Sequence, residues 1–190
     1  MEKIRIIPSV KVYELGSTNV SFNKINYIEK ISGYEEKLLI DYVDSDIESN
    51  LHFEFDADML LEAYSIDVYK EKIIIKYSNL NSRHNAILTL CQLLANVSKL
   101  IECHIYDKPD FLKRSIMIDI SRNKVPNLST LKKIIDEVSL VKINEIQLYV
   151  EGRSFYFESF KEYYEEKNDF LTGEDVLELI KLTTLEICFS

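Results

Sequence analysis

Glycine and proline are scarce, four and three in a chain of 190 residues, and tryptophan is absent. Turns therefore cannot be read from Gly and Pro punctuation, and elements must be read from the period of the apolar residues. Cysteine is equally thin. Cys91, Cys103 and Cys188 form an odd set with neither metal-ligand spacing nor a disulfide framework. They read as reduced core thiols of a cytoplasmic protein. Long apolar runs are missing too. None approaches the roughly 20 residues of a membrane helix, and those near Met1 are too short for a signal-peptide core. Basic residues are outnumbered, 23 Lys and Arg against 32 Asp and Glu, for a formal charge of -9. That sign argues against a nucleic-acid or anionic-membrane partner, because phosphate binding needs clustered Lys and Arg. His52, His84 and His104 are scattered, without the spacing of a metal site or an activated nucleophile. No cofactor is implied.

What remains is an ordinary apolar fraction of 46% with 29% charged residues, enough for a real core. Lys3–Ile7 and Val10–Leu15 read as strands separated by Pro8, and Gly33–Tyr42 as a short helix. Leu51–Phe55 alternates as a half-buried strand does. Ala63–Tyr69 and Lys72–Tyr77 are β-rich runs joined by Lys70 and Glu71, the length of a hairpin. Ser82 to Val97 carries Ile87, Leu90, Cys91, Leu94 and Val97 at helical spacing, with Ser82 as the expected N-cap. Glu102–Tyr106 returns as a strand. Residues 1–107 thus predict an α+β domain, a mostly antiparallel sheet with helices on one face.

After Pro109 the pattern changes. Ser115–Ile120 is a continuous apolar strand. A helix follows from about Asn127, with Leu131, Ile134, Ile135, Val138 and Val141 on one face. Glu145–Val150 is the next strand, Thr172-Gly-Glu-Asp175 a capping-box start for another helix, and Leu185–Phe189 a third strand. Strand and helix alternate as in parallel βαβ units, so 108–190 read as the incomplete start of a β/α barrel.

Within this frame Phe111-Leu-Lys-Arg-Ser-Ile-Met-Ile-Asp-Ile-Ser-Arg-Asn-Lys-Val-Pro126 resembles the opening barrel strand of the family 20 glycoside hydrolases, the β-N-acetylhexosaminidases. Lys142-Ile-Asn144 and the strand up to Glu151 resemble the second strand. Phe155-Tyr-Phe157 and Leu171-Thr-Gly173 continue the match. Thr89-Leu-Cys-Gln-Leu93 resembles a helix of the small domain that precedes such barrels. Ser115 departs from the pattern, which has Gly there.

The resemblance implies cleavage of a terminal β-linked N-acetylhexosamine with retention, the substrate's own acetamido oxygen attacking the anomeric carbon. It implies a catalytic Asp-Glu pair on the fourth barrel strand. This chain has one Asp-Glu dipeptide, Asp136-Glu137, set mid-helix where it reads as a solvated face. No catalytic residue is therefore assigned, and the chain reads as truncated and inactive alone, since a full barrel takes roughly 250 residues. By the same resemblance Arg114 and Glu151 are candidate substrate-binding residues, donor and acceptor toward sugar hydroxyls, with Asp119 and Arg122 as structural support. The aromatic stretch Phe155–Tyr164 is expected to pack as core beneath a long loop. The competing reading is a non-catalytic module that binds a protein or a glycan, or one whose missing barrel half comes from another chain. The two barrel strands are expected to be apolar on both faces. An unfinished barrel of that kind would bury its open face as a symmetric homodimer.

Overall fold

The computed structural model describes residues 5–95, 100–121, 125–151, 155–163 and 170–181, and the backbone of 184–189. The chain divides into two compact units, Met1–Leu112 and Lys113–Ser190. The division falls after Leu112 and not after Asp107. Asp110 is tied back to Lys11 at 2.5 Å, which keeps the segment beyond Asp107 with the first unit.

The first unit runs β1 (Val12–Asn19), α1 (Gly33–Leu39), β2 (Leu51–Phe55), β3 (Tyr64–Val68), β4 (Ile73–Tyr77), α2 (Leu80–Ala95) and β5 (Ile101–Asp107). Its sheet has the order β1-β5-β3-β4-β2, antiparallel throughout except for the β2–β4 pair. The hairpin expected from Lys70 and Glu71 is present, with Val68 opposite Ile73. Register stacks the apolar alternation of five strands into rows. Leu15, Cys103, Val68, Ile73 and Leu51 form one, and Tyr13, Ile105, Ile66, Ile75 and Phe53 the next. A period of two puts every member of a row on the same face, and this face builds the core, except at Leu15 on the edge strand β1, which is exposed.

The third row holds a polar exception. Asp107 lies opposite Tyr64, and the Tyr64 hydroxyl donates to Asp107 Oδ2 at 3.0 Å and meets Thr89 Oγ1 of α2 at 2.7 Å. All three residues are buried, so the network satisfies groups that would otherwise destabilise the layer.

Helix α2 begins at Leu80, and its cap is Asn79, not Ser82. Asn79 Oδ1 accepts the Ser82 amide at 2.8 Å, while Ser82 Oγ accepts the Asn79 amide at 3.0 Å. Ser82, fully buried, plays the third-position part of a capping box that a Glu or Gln commonly fills. The helix also buries more than the expected stripe. Ala86, Ile87, Leu88, Thr89 and Leu90 are buried in succession; Val97 lies outside the described residues. Residues Arg5–Ile7 form no strand. The Ile7 amide and carbonyl are both taken by the Gln92 side chain, at 2.8 and 2.7 Å, so this backbone is satisfied by α2 instead of a sheet edge. Lys3 and Ile4 lie outside the described residues.

Between α1 and α2 sits a buried ion pair. Arg83 donates to both Glu35 carboxylate oxygens, at 3.2 and 2.8 Å. Burial alone would raise the Glu35 carboxyl, but hydrogen bonds from Arg83 and Ser32 outweigh it and hold it below its ordinary range. The neighbouring His84, against the Tyr34 ring, is pushed down by burial.

The second unit runs β6 (Ser115–Asp119), α3 (Leu128–Ser139), β7 (Glu145–Val150), a 3-10 turn (Glu158–Tyr163), α4 (Gly173–Ile180) and β8 (Thr184–Phe189). The three strands are parallel in the order β6-β7-β8. Asn127 caps α3 by accepting the Thr130 amide at 2.8 Å, and Thr172 and Asp175 form the expected capping box on α4. Leu131 and Ile135 of α3 are buried against Ile120, Ile146 and Leu148. Val141 is exposed, because α3 ends at Ser139.

The expectation that β6 and β7 are apolar on both faces is corrected. Ile116, Ile118, Ile146, Leu148 and Val150 join the core, but the alternate positions carry Ser115, Met117 and Asp119 beside Glu145, Gln147 and Tyr149. That second face is mixed, with Met117 and Tyr149 among polar neighbours, and is not continuously apolar.

Replacing Leu90 with Ala is expected to cost about 2–5 kcal/mol, as a fully buried large-to-small change. Urea unfolding of the parent and variant checks this, and an unchanged midpoint would contradict the layer packing. A second expectation concerns pH. Folded His84 sits below its ordinary value of 6.5, so the unfolded chain binds more protons and stability falls as pH drops below that value. Folded Glu35 sits below 4.5, so its share is present above that value and is lost as pH falls through the folded one. Replacing His84 with Gln should flatten the decline in Tm between about pH 7 and about pH 5 and leave the steeper loss below it.

Candidate functional site

In parallel α/β sheets ligands gather outside the carboxyl ends of the strands, where the following loops begin. Here the carboxyl ends of β6 and β7 bring Asp119, Ser121 and Glu151 together. Ile120 and Ser121 both address the Tyr149 carbonyl, the former through its amide at 3.1 Å and the latter through its hydroxyl at 3.1 Å. The same Ser121 oxygen accepts the Glu151 amide at 2.5 Å. The Ser121 amide in turn donates to Asp119 Oδ1 at 2.8 Å. One serine thus joins the ends of two strands and ties both carboxylate-bearing residues to them. Asp119 is exposed and Glu151 half-buried. Two carboxylates at one edge can accept hydrogen bonds from the hydroxyls of a polyol.

Arg114 is elsewhere. It precedes β6, so it lies at the amino end of the strand, on the order of 20 Å along the chain direction from Ser121 at about 3.3 Å per residue. Its Nε donates to the Lys142 carbonyl at 2.7 Å. Its amide donates to Asn144 Oδ1 at 2.9 Å, and its own carbonyl accepts the amides of Asn144 and Glu145. Lys142 needs this grip, for it is buried and holds a positive φ of 65°. The Lys142-Ile-Asn144 motif is therefore the turn that starts β7, clamped by Arg114. Arg114 precedes β6 and Glu151 follows β7, so their backbones stand at opposite ends of this strand pair. Arg122 lies outside the described residues. Ser121 carries no sequence signal of its own beyond its place between Asp119 and Arg122, and its part emerges only once β7 is paired.

The aromatic stretch behaves in two ways. Phe155 is half-buried against the core of the second unit and rests on Phe157 at 5.1 Å, and Tyr156 stacks on Phe170 at 5.3 Å. Phe160 and Tyr163 are exposed, so the expectation of core packing holds for the first part only; Tyr164 lies outside the described residues. Asp136 and Glu137 are exposed on α3. His104 on β5 pairs with Asp67 on β3 at 2.6 Å, on the sheet face away from the core rows. Burial pushes the Cys91 and Cys103 thiols up to about 12, which disfavours the thiolate form in both. The side chain of Cys188 lies outside the described residues. Among the described residues, no group of three His, Cys, Asp or Glu could hold a metal ion, and no helix is long and apolar enough to cross a membrane.

Comparison with known proteins places this architecture. No protein-family model matches the chain. A curated relative, the β-hexosaminidase subunit beta of Entamoeba histolytica, is 36% identical over 108 residues, 54% of this chain. The β-N-acetylhexosaminidase of Bacteroides fragilis superposes with a TM-score of 0.77 over 97% of this chain, at 22% identity. That of Streptomyces coelicolor gives 0.78 over 98%, at 20% identity. A family 20 exo-β-N-acetylglucosaminidase of Vibrio harveyi, solved with N-acetylglucosamine, gives 0.77 over 96%, at 17% identity. The chain resembles part of a glycoside hydrolase family 20 β-N-acetylhexosaminidase. At these identities the solved structures speak for the fold, and the Entamoeba relative adds the likeness in sequence. This hexosaminidase-like chain spans 19% of the Entamoeba relative, 44% of the Bacteroides chain, 46% of the Streptomyces chain and 35% of the Vibrio chain.

Replacing Arg114 with Ala in the hexosaminidase-like chain removes a charged donor from the Lys142 carbonyl and is expected to destabilise the second unit by about 1–3 kcal/mol. Arg114→Lys should recover little, because an ammonium lacks the fixed Nε donor. Urea unfolding followed by amide signals of 113–190 tests both; full stability in the Ala variant would place the clamp elsewhere.

Proposed function

We propose that this chain is the front portion of a β-N-acetylhexosaminidase-like glycoside hydrolase: the small α+β domain and the opening strands of a β/α barrel. The observation that carries the reading is the superposition of nearly the whole chain on such enzymes, joined to a polar carboxyl edge on β6 and β7. On this reading Glu151, with Asp119 beside it, accepts hydrogen bonds from the hydroxyls of a terminal N-acetylhexosamine. Arg114 serves the same edge from a distance, by holding the start of β7 and so the register of the strand that ends at Glu151. The ligand class is a glycan ending in N-acetylhexosamine.

The 190-residue polypeptide by itself does not turn over such substrates on this reading, because its one Asp-Glu dipeptide lies exposed in the middle of α3. Loss of a general acid alone is worth roughly 100- to 10,000-fold. The purified chain is expected to leave p-nitrophenyl N-acetyl-β-glucosaminide intact while N-acetylglucosamine shifts the amide signals of Ser121 and Glu151. Turnover that follows the protein through purification and disappears in Glu151→Gln would overturn the inactive reading. Absence of any saccharide-induced shift would overturn the sugar site itself.

A further inference from the structure

We propose that Ser121 is the positioning residue of the carboxyl-edge site, an inference that rests on the sugar-binding reading of that edge. Its hydroxyl is used twice across the gap between strands. It donates to the Tyr149 carbonyl at 3.1 Å and accepts the Glu151 amide at 2.5 Å. Its amide holds Asp119 Oδ1 at 2.8 Å. β6 ends at Asp119 and β7 at Val150, and among the described residues the backbone pairing of the two strands stops at the Ile120 amide on the Tyr149 carbonyl, so Glu151 lies just past the ladder. Past that point a chain diverges into its loop unless something replaces the ladder. Ser121 is that replacement. It extends the β6–β7 pairing by one polar stitch and fixes the backbone of Glu151 relative to Asp119.

A hydroxyl fits this position for two reasons. It is both donor and acceptor, so it can meet a carbonyl and an amide of the same strand with one atom. It is also short, so the two strand ends stay as close as in the sheet itself. Alanine keeps the Ser121 amide, and with it the Asp119 bond, but removes both bonds to β7. The loss therefore falls on Glu151. Threonine keeps the oxygen. Because the site needs its acceptors held at fixed separation, a loosened Glu151 weakens saccharide binding while leaving the cores of both units in place.

The test compares the full chain with Ser121→Ala and Ser121→Thr. Three quantities are measured: the hydrogen-exchange rate of the Glu151 amide, the affinity for free N-acetylglucosamine by NMR titration, and the Tm. Ser121→Ala is expected to speed Glu151 exchange by about tenfold and to weaken the saccharide by several-fold, with Ser121→Thr returning both toward the parent. Exchange and affinity unchanged in Ser121→Ala would overturn the positioning role and leave the sugar reading intact. Failure of the Thr variant to restore affinity at parental Tm would overturn it as well. A parent chain that shows no saccharide-induced shifts would sink the sugar reading first, and Ser121 would then be a strand-end staple and nothing more. Should the Ala variant unfold, Ser121→Thr with parental exchange and affinity, set against Ser121→Cys with a weak acceptor and loss of both, decides the same question.

Discussion

Parallel pairing is the constraint on which the second unit depends. Two parallel strands cannot be joined by a tight turn, so β6 and β7 require a crossover, and α3 supplies it. Once the register runs from Ser115 beside Glu145 to Asp119 beside Tyr149, both carboxyl ends open onto the same edge. Every polar group that can meet a ligand there is a consequence of that register. A slip of one residue would turn Ile146 and Leu148 away from Leu131 and Ile135 and would move Glu151 off the Ser121 hydroxyl. Core packing and site geometry are thus set by one choice. Lys132 of α3 and Glu178 of α4 add an exposed ion pair between the helices, which by its exposure contributes little to that choice.

The first unit shows the same logic with antiparallel strands. Five strands agree on one apolar face because the alternation in each is in phase with its neighbours across the register. The edge strand β2 is not left as an open template. The Leu51 amide is taken by the Asn26 carbonyl and the Phe53 amide by the Glu29 side chain. Gly16 on β1 is required by space, for a Cβ there would come within 2.9 Å of the Glu102 Cβ.

How much of this is legible from residues alone varies with the range of the interaction. The parallel βαβ pattern and the capping box at Thr172 are readable because each depends on residues within one element or its immediate neighbours. The helix start at Asn79 is nearly so; Ser82 misleads because a serine at the third helical position looks like a cap when its partner goes unrecognised. The Tyr64–Thr89–Asp107 network is not readable, since its members are brought together by β3, α2 and β5. The mixed character of the second face of β6 and β7 is readable in principle. Glu145, Gln147 and Tyr149 alternate with Ile146, Leu148 and Val150, yet Ile116, Met117 and Ile118 in succession make a continuous apolar run the stronger impression. Ser121 is the least legible of all, as both of its β7 partners lie far along the chain and a serine after a strand has many roles.

The two ends of the β6–β7 pair then divide their work by what their polar groups bind. At the amino end the partners are backbone carbonyls and amides: Arg114 on Lys142, Asn144 on Arg114. Glu145 there is buried and meets Lys113 at 3.3 Å, so its charge is answered within the chain. Such groups stabilise a turn. At the carboxyl end Ser121 answers backbone groups of Tyr149 and Glu151 and, through its own amide, Asp119 Oδ1. A residue type alone does not separate these cases, because arginine and glutamate suit sugar hydroxyls and structural clamps equally. Position along the strand does. Arg114 matches a sugar-binding pattern in sequence but stands at the end where the chain turns inward, whereas Glu151 stands where the chain opens. On the proposed reading, the saccharide contacts of this unit fall at the edge that Ser121 holds together.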